Sequence, residues 1–286
     1  MRIIVLALLA TLASACSPVR LLNALVPGDG FVAGEDIAYG EDPRQKVDVY
    51  RPRTRDGGAA SAGGSPVVVF FYGGSWNRGE RKDYKFIAEA LTSKGMVVVL
   101  ADYRLYPQVT YPDFLADSAR AVAWALRNAA AYGGDPSRLF VMGHSAGAYN
   151  AAMIALDPRW LAGQGMKPSQ LAGWIGLAGP YDFFPATDPE VRPVFHHPNY
   201  PMGAQPIDHA AARSPRAFLG VAARDPVVDP NRNTGHLAAA LDAAGTPVTL
   251  KAYENVSHIS IAAAFARPLR GLAPVLDDVA AFVSGR

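Results

Sequence analysis

Apolar residues along the 286-residue chain come in short unbroken runs, separated by longer stretches with helical spacing. The runs at residues 67–72, 96–101, 139–142, 174–177, 218–222 and 248–253 predict strands buried on both faces of a parallel sheet, since a strand with one wet face would alternate instead. Two shorter strands are predicted before them, at 37–39 and at 46–50, where Val47 and Val49 alternate with polar neighbours. The intervening stretches 80–93, 113–132, 146–156, 231–244 and 268–283 carry Ala- and Leu-rich spacing near 3.6 residues and predict helices. Strand–helix alternation of this kind implies an α/β fold with a doubly wound sheet.

Two segments break the rhythm. Residues 51–66 are rich in Gly, Ser and Ala without an apolar pattern, and read as a hairpin loop between two strands. Residues 180–214 are proline-rich, carry Tyr181, Phe183, Phe184, Phe195 and Tyr200, and read as a surface excursion over one end of the sheet. No internal repeat is visible. Residues 31–286 are expected to form one domain.

The N-terminus has a different pattern. Arg2 is followed by an apolar run, Ile3 to Leu12, too short to span a bilayer, and then by the small residues Ala13-Ser14-Ala15. Residues 1–15 therefore read as a secretory signal peptide. Cys16, the only cysteine, comes next, and Leu12-Ala13-Ser14-Ala15-Cys16 resembles a bacterial lipobox, with Leu12 one position earlier than usual. The expectation is an exported chain lipidated at Cys16, with residues 16–30 as a tether, anchored to a membrane and facing the periplasm or cell exterior. With no second cysteine, no internal disulfide can form and the core alone must hold the fold.

Composition narrows the field further. Half of the residues are hydrophobic and 18% are charged, which excludes a disordered chain. A formal net charge of +2 gives no electrostatic case for nucleic acid. The one basic cluster, Arg78, Arg81, Lys82 and Lys85, reads as a solvated helix face. Metal-ligand clusters, phosphate loops and dinucleotide fingerprints are absent from the sequence, so no cofactor is expected.

The candidate chemistry begins at Gly143-His144-Ser145-Ala146-Gly147, which comes after a predicted strand and opens a predicted helix. Gly-x-Ser-x-Gly in that context makes a sharp turn that raises the serine, and small flanking residues let strand and helix approach. The first N–H groups of the helix lack intrahelical partners and favour negative charge, so the Ala146 amide is a candidate oxyanion donor. A serine hydroxyl needs a base and an acid to orient that base. Of six histidines, His258 lies just after the last predicted strand, where a base belongs. His144 is expected to point elsewhere on the turn, His236 to sit on a helix, and His196 and His197 to shape access at most; His209 is the sixth. Asp225 comes first after the 218–222 strand and is the expected acid. Asp229 is the alternative, with a helix N-cap as its structural role.

Taken together, Tyr72-Gly73-Gly74-Ser75-Trp76, Asp102-Tyr103-Arg104-Leu105-Tyr106-Pro107, Gly133 to Arg138, the Gly143–Gly147 turn, Asp225-Pro226-Val227-Val228 and His258 resemble the α/β-hydrolase superfamily. The likeness is to its esterase and lipase group, which includes hormone-sensitive-lipase-like and feruloyl-esterase-like enzymes and arylformamidases. It covers residues 37–284 in order and implies a mostly parallel sheet of about eight strands with helices on both faces. It also implies an oxyanion hole from the amides of Gly74, Ser75 and Ala146, with Trp76 packed behind. Two departures are Tyr72, where the group has His, and Ala222-Ala223-Arg224, where a His-Gly stretch often precedes the acid. Asp102-Tyr103-Arg104 implies a buried polar contact under the strand ends, and Tyr181-Asp182 a structural pair.

These residues point to a serine carboxylic ester hydrolase acting on a small or medium ester through an acyl-enzyme. The alternatives are an arylformamidase-type amide hydrolase, which export disfavours, and a non-catalytic binder on the same fold. The presence of a candidate for each triad position argues against the last.

Overall fold

The computed structural model describes residues 22–53, 63–210 and 212–285; Cys16 and the expected leader lie outside them. Among the described residues eight strands form one sheet: β1 (Phe31–Ala38), β2 (Lys46–Pro52), β3 (Ser65–Phe71), β4 (Val97–Ala101), β5 (Gly134–His144), β6 (Gly173–Leu177), β7 (Ala217–Ala222) and β8 (Val248–Tyr253). Their order is β1-β2-β4-β3-β5-β6-β7-β8. β1 runs antiparallel to β2, and β2 to β4; from β4 to β8 every pairing is parallel.

The pattern of burial explains the order. β4, β6 and β7 are buried along their whole length, as continuous apolar strands must be when both faces are covered. β1 and β8 are the edges and keep exposed polar positions, which blunts edge-to-edge pairing. The covering helices are α1 (Lys85–Thr92), α2 (Asp113–Asn128), α3 (Ala146–Leu156), α4 (Pro158–Ala162), α5 (His236–Ala243), α6 (Ser260–Ala263) and α7 (Val275–Ser284). α3 is buried at every residue, which explains its lack of a polar face.

Two expectations are corrected. The segment between β2 and β3 does not join hairpin partners: β4 lies between those strands in the sheet. β3, apolar from Val67 to Phe71, takes a central place between two parallel neighbours, which a hairpin partner of β2 could not occupy. The basic cluster is not a solvated face either. Arg81 is 5% exposed, in a 3₁₀ turn (Arg81–Tyr84) that starts ahead of α1. Its guanidinium pairs with Asp36, with Asp48 at 2.9 Å and with Asp102, whose carboxylate also accepts the Arg81 amide at 2.7 Å. Lys82 and Arg78 do remain on the surface, paired with Asp36 and Glu190. Within the stretch expected as a tether, residues 22–26 lie against the domain: Leu22 and Val26 pack against the core, and Asn23 bonds the Lys82 and Phe86 backbone.

The buried ion cluster fixes the path of the chain just beyond β4. Burial lifts the Asp102 carboxyl above its ordinary value although the Arg81 amide and guanidinium pull it down, so the charged form depends on Arg81. Removing one partner of such a cluster strands charge in the interior. Arg81→Ala is expected to lower unfolding free energy by about 3–5 kcal/mol, read from urea denaturation of the purified protein.

Candidate active site

The parallel strands bring the carboxyl ends of β3, β5, β7 and β8 to one edge of the sheet, and the candidate residues come directly after those ends. Ser145 sits between β5 and α3 at φ 55° and ψ −122°, a conformation costly for a residue with a side chain. It is held by its amide bonding the Leu177 carbonyl at 2.9 Å and by its own carbonyl starting α3. The approach is so close that a Cβ on Gly147 would lie 2.0 Å from the Phe71 oxygen, and one on Gly143 2.1 Å from the Gly147 oxygen. Only glycine fits either place.

His258 Nε2 lies 2.9 Å from Ser145 Oγ, and His258 Nδ1 lies 2.7 Å from Asp225 Oδ2. The other Asp225 oxygen accepts the amides of Val227 at 2.8 Å and Val228 at 3.0 Å. Burial alone would raise the Asp225 carboxyl, but hydrogen bonds from His258 and these amides outweigh it and hold the carboxyl below its usual value. Asp225 is therefore a fixed anion beside Nδ1, which makes Nδ1 the donor and leaves Nε2 free to accept the Ser145 proton. Asp229 is not brought to His258. It accepts the amides of Asn231 and Arg232 at 2.9 and 3.1 Å, a capping role for the turn leading into α5.

Ser145 opens onto a cleft of about 580 Å³ whose wall includes Ser75, Trp76, Ala146, Phe183, Val191 and Val228. Ser75 and Ala146 are on the wall and Gly74 is not. Gly74 forms the turn before Ser75 at φ 128°, where a Cβ would strike the Arg78 oxygen at 2.3 Å. The loop it begins is strained, with Ser75 and Trp76 also at positive φ. Trp76 is buried behind it, donating Nε1 to Asn150 Oδ1 at 3.0 Å and meeting Phe195 at 4.9 Å and Tyr149 at 5.1 Å between ring centroids. The excursion serves as both wall and packing: Phe183 and Val191 line the cleft, while Val194 and Phe195 are buried beneath it.

Tyr72 braces that loop from below. Its ring stacks on Tyr103 at 4.7 Å and Tyr84 at 6.0 Å. Its hydroxyl accepts from Arg44 at 2.7 Å, and its carbonyl accepts the Tyr103 hydroxyl at 2.8 Å. Burial pushes the Tyr84 hydroxyl up to about 12, against a hydrogen bond from the Gly73 backbone. The Asp102-Tyr103-Arg104 segment is thus a buried polar contact under the strand ends, with Arg104 forked onto Asp117.

The remaining histidines serve local structure. His196 bonds the Tyr111 carbonyl, His197 the Tyr200 hydroxyl, His209 the Gly203 carbonyl and His236 the Asp182 carboxylate. His144 does not point away from the site as expected: its Nε2 lies 2.7 Å from the His258 carbonyl oxygen. Its place as the last residue of a fully buried strand end was the available signal. Arg44 was also missed, and an arginine in a short polar loop offers no such signal. Among the described residues no group of three or more His, Cys, Asp or Glu could hold a metal ion.

A strand–turn–helix with a raised serine, at the carboxyl edge of an eight-stranded, mostly parallel sheet, defines an α/β-hydrolase. The chain belongs to the BD-FAE family, whose profile matches residues 47–241. It is 35% identical over 156 residues to an isoprenylcysteine alpha-carbonyl methylesterase of Arabidopsis thaliana, covering 53% of this chain and 35% of that one. It is 29% identical over 269 residues to the esterase LipQ of Mycobacterium tuberculosis, covering 88% of this chain and 62% of that one. The chain thus spans about a third of the length of the first of these curated relatives. Among solved structures, a bacterial heroin esterase superposes with a TM-score of 0.73 at 24% identity, covering 95% of this chain and 89% of that one. Butyrate-bound esterase 2 of Thermogutta terrifontis superposes with a TM-score of 0.72 at 22% identity, covering 90% and 94%.

Replacing the Tyr72 hydroxyl leaves Arg44 without one of its acceptors. Tyr72→Phe is expected to cost about 1–3 kcal/mol of stability, measured as a shift in the denaturation midpoint at unchanged slope.

Proposed function

We propose that the protein is a carboxylesterase that cleaves small or medium esters through an acyl-serine intermediate. The observation that carries this reading is the hydrogen-bonded line Ser145–His258–Asp225 opening onto the cleft. At about 580 Å³ the cleft falls within the roughly 300–1,000 Å³ usual for small-molecule sites. The family and the esterase relatives support the same reading.

Ser145 Oγ attacks the ester carbonyl carbon while its proton moves to His258 Nε2. The carbonyl π electrons move to oxygen, and the donors we assign to that oxyanion are the amides of Ser75 and Ala146, with Gly74 supplying the turn that presents Ser75. The tetrahedral intermediate collapses, the carbon–oxygen bond to the alcohol breaks, and the alcohol leaves with the proton held by His258. Water repeats the sequence against the acyl-serine and releases the acid. Asp225 stays ionised throughout and stabilises the imidazolium. Each preset donor is worth about 100- to 1,000-fold in rate.

Ser145→Ala is expected to lower turnover of short-chain p-nitrophenyl esters by about 10⁴-fold or more, and Asp225→Asn by about 10⁴-fold. Asp229→Asn should stay close to the parent rate. Full activity in Ser145→Ala would refute the mechanism, and collapse in Asp229→Asn alone would reassign the acid. A panel of esters and N-formyl aromatics assayed alongside ranks the leaving groups.

We also infer that the full chain is exported and lipidated at Cys16, on the sequence pattern alone. Cells labelled with radioactive palmitate should show label in the parent chain and none in Cys16→Ala.

A further inference from the structure

We infer that His144 is a positioning residue that sets the place of His258 and separates it from the loop after β3. This rests on the role proposed for His258. The proposed mechanism does not otherwise use His144, which is 6% exposed. Its ring nitrogens have different surroundings. Nε2 lies 2.7 Å from the His258 carbonyl oxygen, and a carbonyl can only accept, so Nε2 carries the proton. Nδ1 is buried without any hydrogen-bond partner. A Cβ placed on Gly73 would lie 3.2 Å from Nδ1, so the glycine backbone sits directly against this side of the ring. One imidazole therefore touches the residue that carries the base and the loop that leads to Ser75, and it adjoins the nucleophile in sequence.

A buried acceptor with no donor is destabilising, and native structures keep few of them. Here it limits where a proton can bind. A second proton could only go to Nδ1, which faces the Gly73 backbone and has no hydrogen-bond partner. Burial, with the neighbouring His258, lowers the His144 ring to about 3, which agrees with that geometry. The groups facing it are the His258 ring, at 5.2 Å between centroids, and the Asp225 carboxylate beyond. The ring stays a neutral donor while His258 gains and loses its proton, and it holds the His258 backbone without adding charge beside an imidazolium.

The test separates the donor from the bulk of the ring. Gln places an N–H near the position of Nε2, whereas Asn reaches only as far as Nδ1. A shift of about 1 Å in a reacting group can cost about 100-fold. His144→Asn is therefore expected to lower kcat by about 10- to 100-fold with KM nearly unchanged, and His144→Gln to recover most of that loss. Proton NMR of the resting protein gives a second readout. The low-field signal of the His258 Nδ1–H bonded to Asp225 should broaden or move in His144→Asn and persist in His144→Gln. Equal kcat in the two variants, or an unmoved low-field signal in His144→Asn, would overturn the inference. The NMR readout needs no turnover. A failure of the esterase reading, seen as full activity in Ser145→Ala, is thus distinguishable from a failure here.

Discussion

The crossing of α3 over the end of β3 is the constraint on which the rest depends. Helix and strand approach until the Gly147 backbone touches the Phe71 carbonyl, with no room for a methyl group between them. That approach forces the turn before α3 to be sharp. A sharp turn in turn leaves Ser145 at positive φ with its side chain raised above the sheet edge. The strain at Ser145 is of the order of 1–3 kcal/mol and persists because both sides are fixed, by β6 through Leu177 and by the first turn of α3. The same crossing puts the unpaired amides of the helix start beside the loop after β3. One packing contact thus sets both the raised serine and the helix start beside it.

The second fixed point is electrostatic. The loop holding Ser75 and Trp76 carries three consecutive residues at positive φ and would not keep that shape alone. It is held from below by stacked Tyr72, Tyr103 and Tyr84, and by Arg44, which reaches Tyr72, Tyr103 and Gly79 together. Under these lies Arg81 with its carboxylates, which pins the start of α1 to the end of β4. Buried ion clusters of this kind add little net stability over an apolar core, but they tolerate few alternative arrangements. The loop thus rests on stacked rings and on a largely buried ion cluster that fixes the segments around it.

Much of this was legible in the sequence. Continuous apolar runs marked the strands, and the helix at 146–156 was bounded at the residues observed, because glycines and the turn punctuate it. Ser145, Asp225 and His258 could be singled out since each comes just after a strand end, and parallel strand ends share an edge. Pairing across the sheet could not be read in the same way. The segment at 51–66 gives no sign that β4 will insert between β2 and β3, because a parallel neighbour is chosen by long-range packing and not by the loop. Burial of charge was equally hidden. Arg81 stands in a run of basic residues, and its carboxylates come from β1, β2 and the end of β4, far apart in the chain.

Tyr72 shows how such departures are absorbed. Where the resembled motif has a histidine, this chain has a larger ring with one hydroxyl. The hydroxyl alone could not orient the loop, but Arg44 supplies a charged donor to it and binds two backbone carbonyls besides. Tyr103, two residues beyond β4, completes the brace by donating to the Tyr72 carbonyl. The bracing of this loop is thus spread over three side chains, Tyr72, Arg44 and Tyr103, from three segments. On the far side of the cleft the excursion does the matching task for Trp76, enclosing its ring with Phe183 and Phe195. The loop between them is clamped from both sides, so its N–H groups are held in fixed directions, and backbone donors fixed in advance are the ones that stabilise a developing charge most strongly.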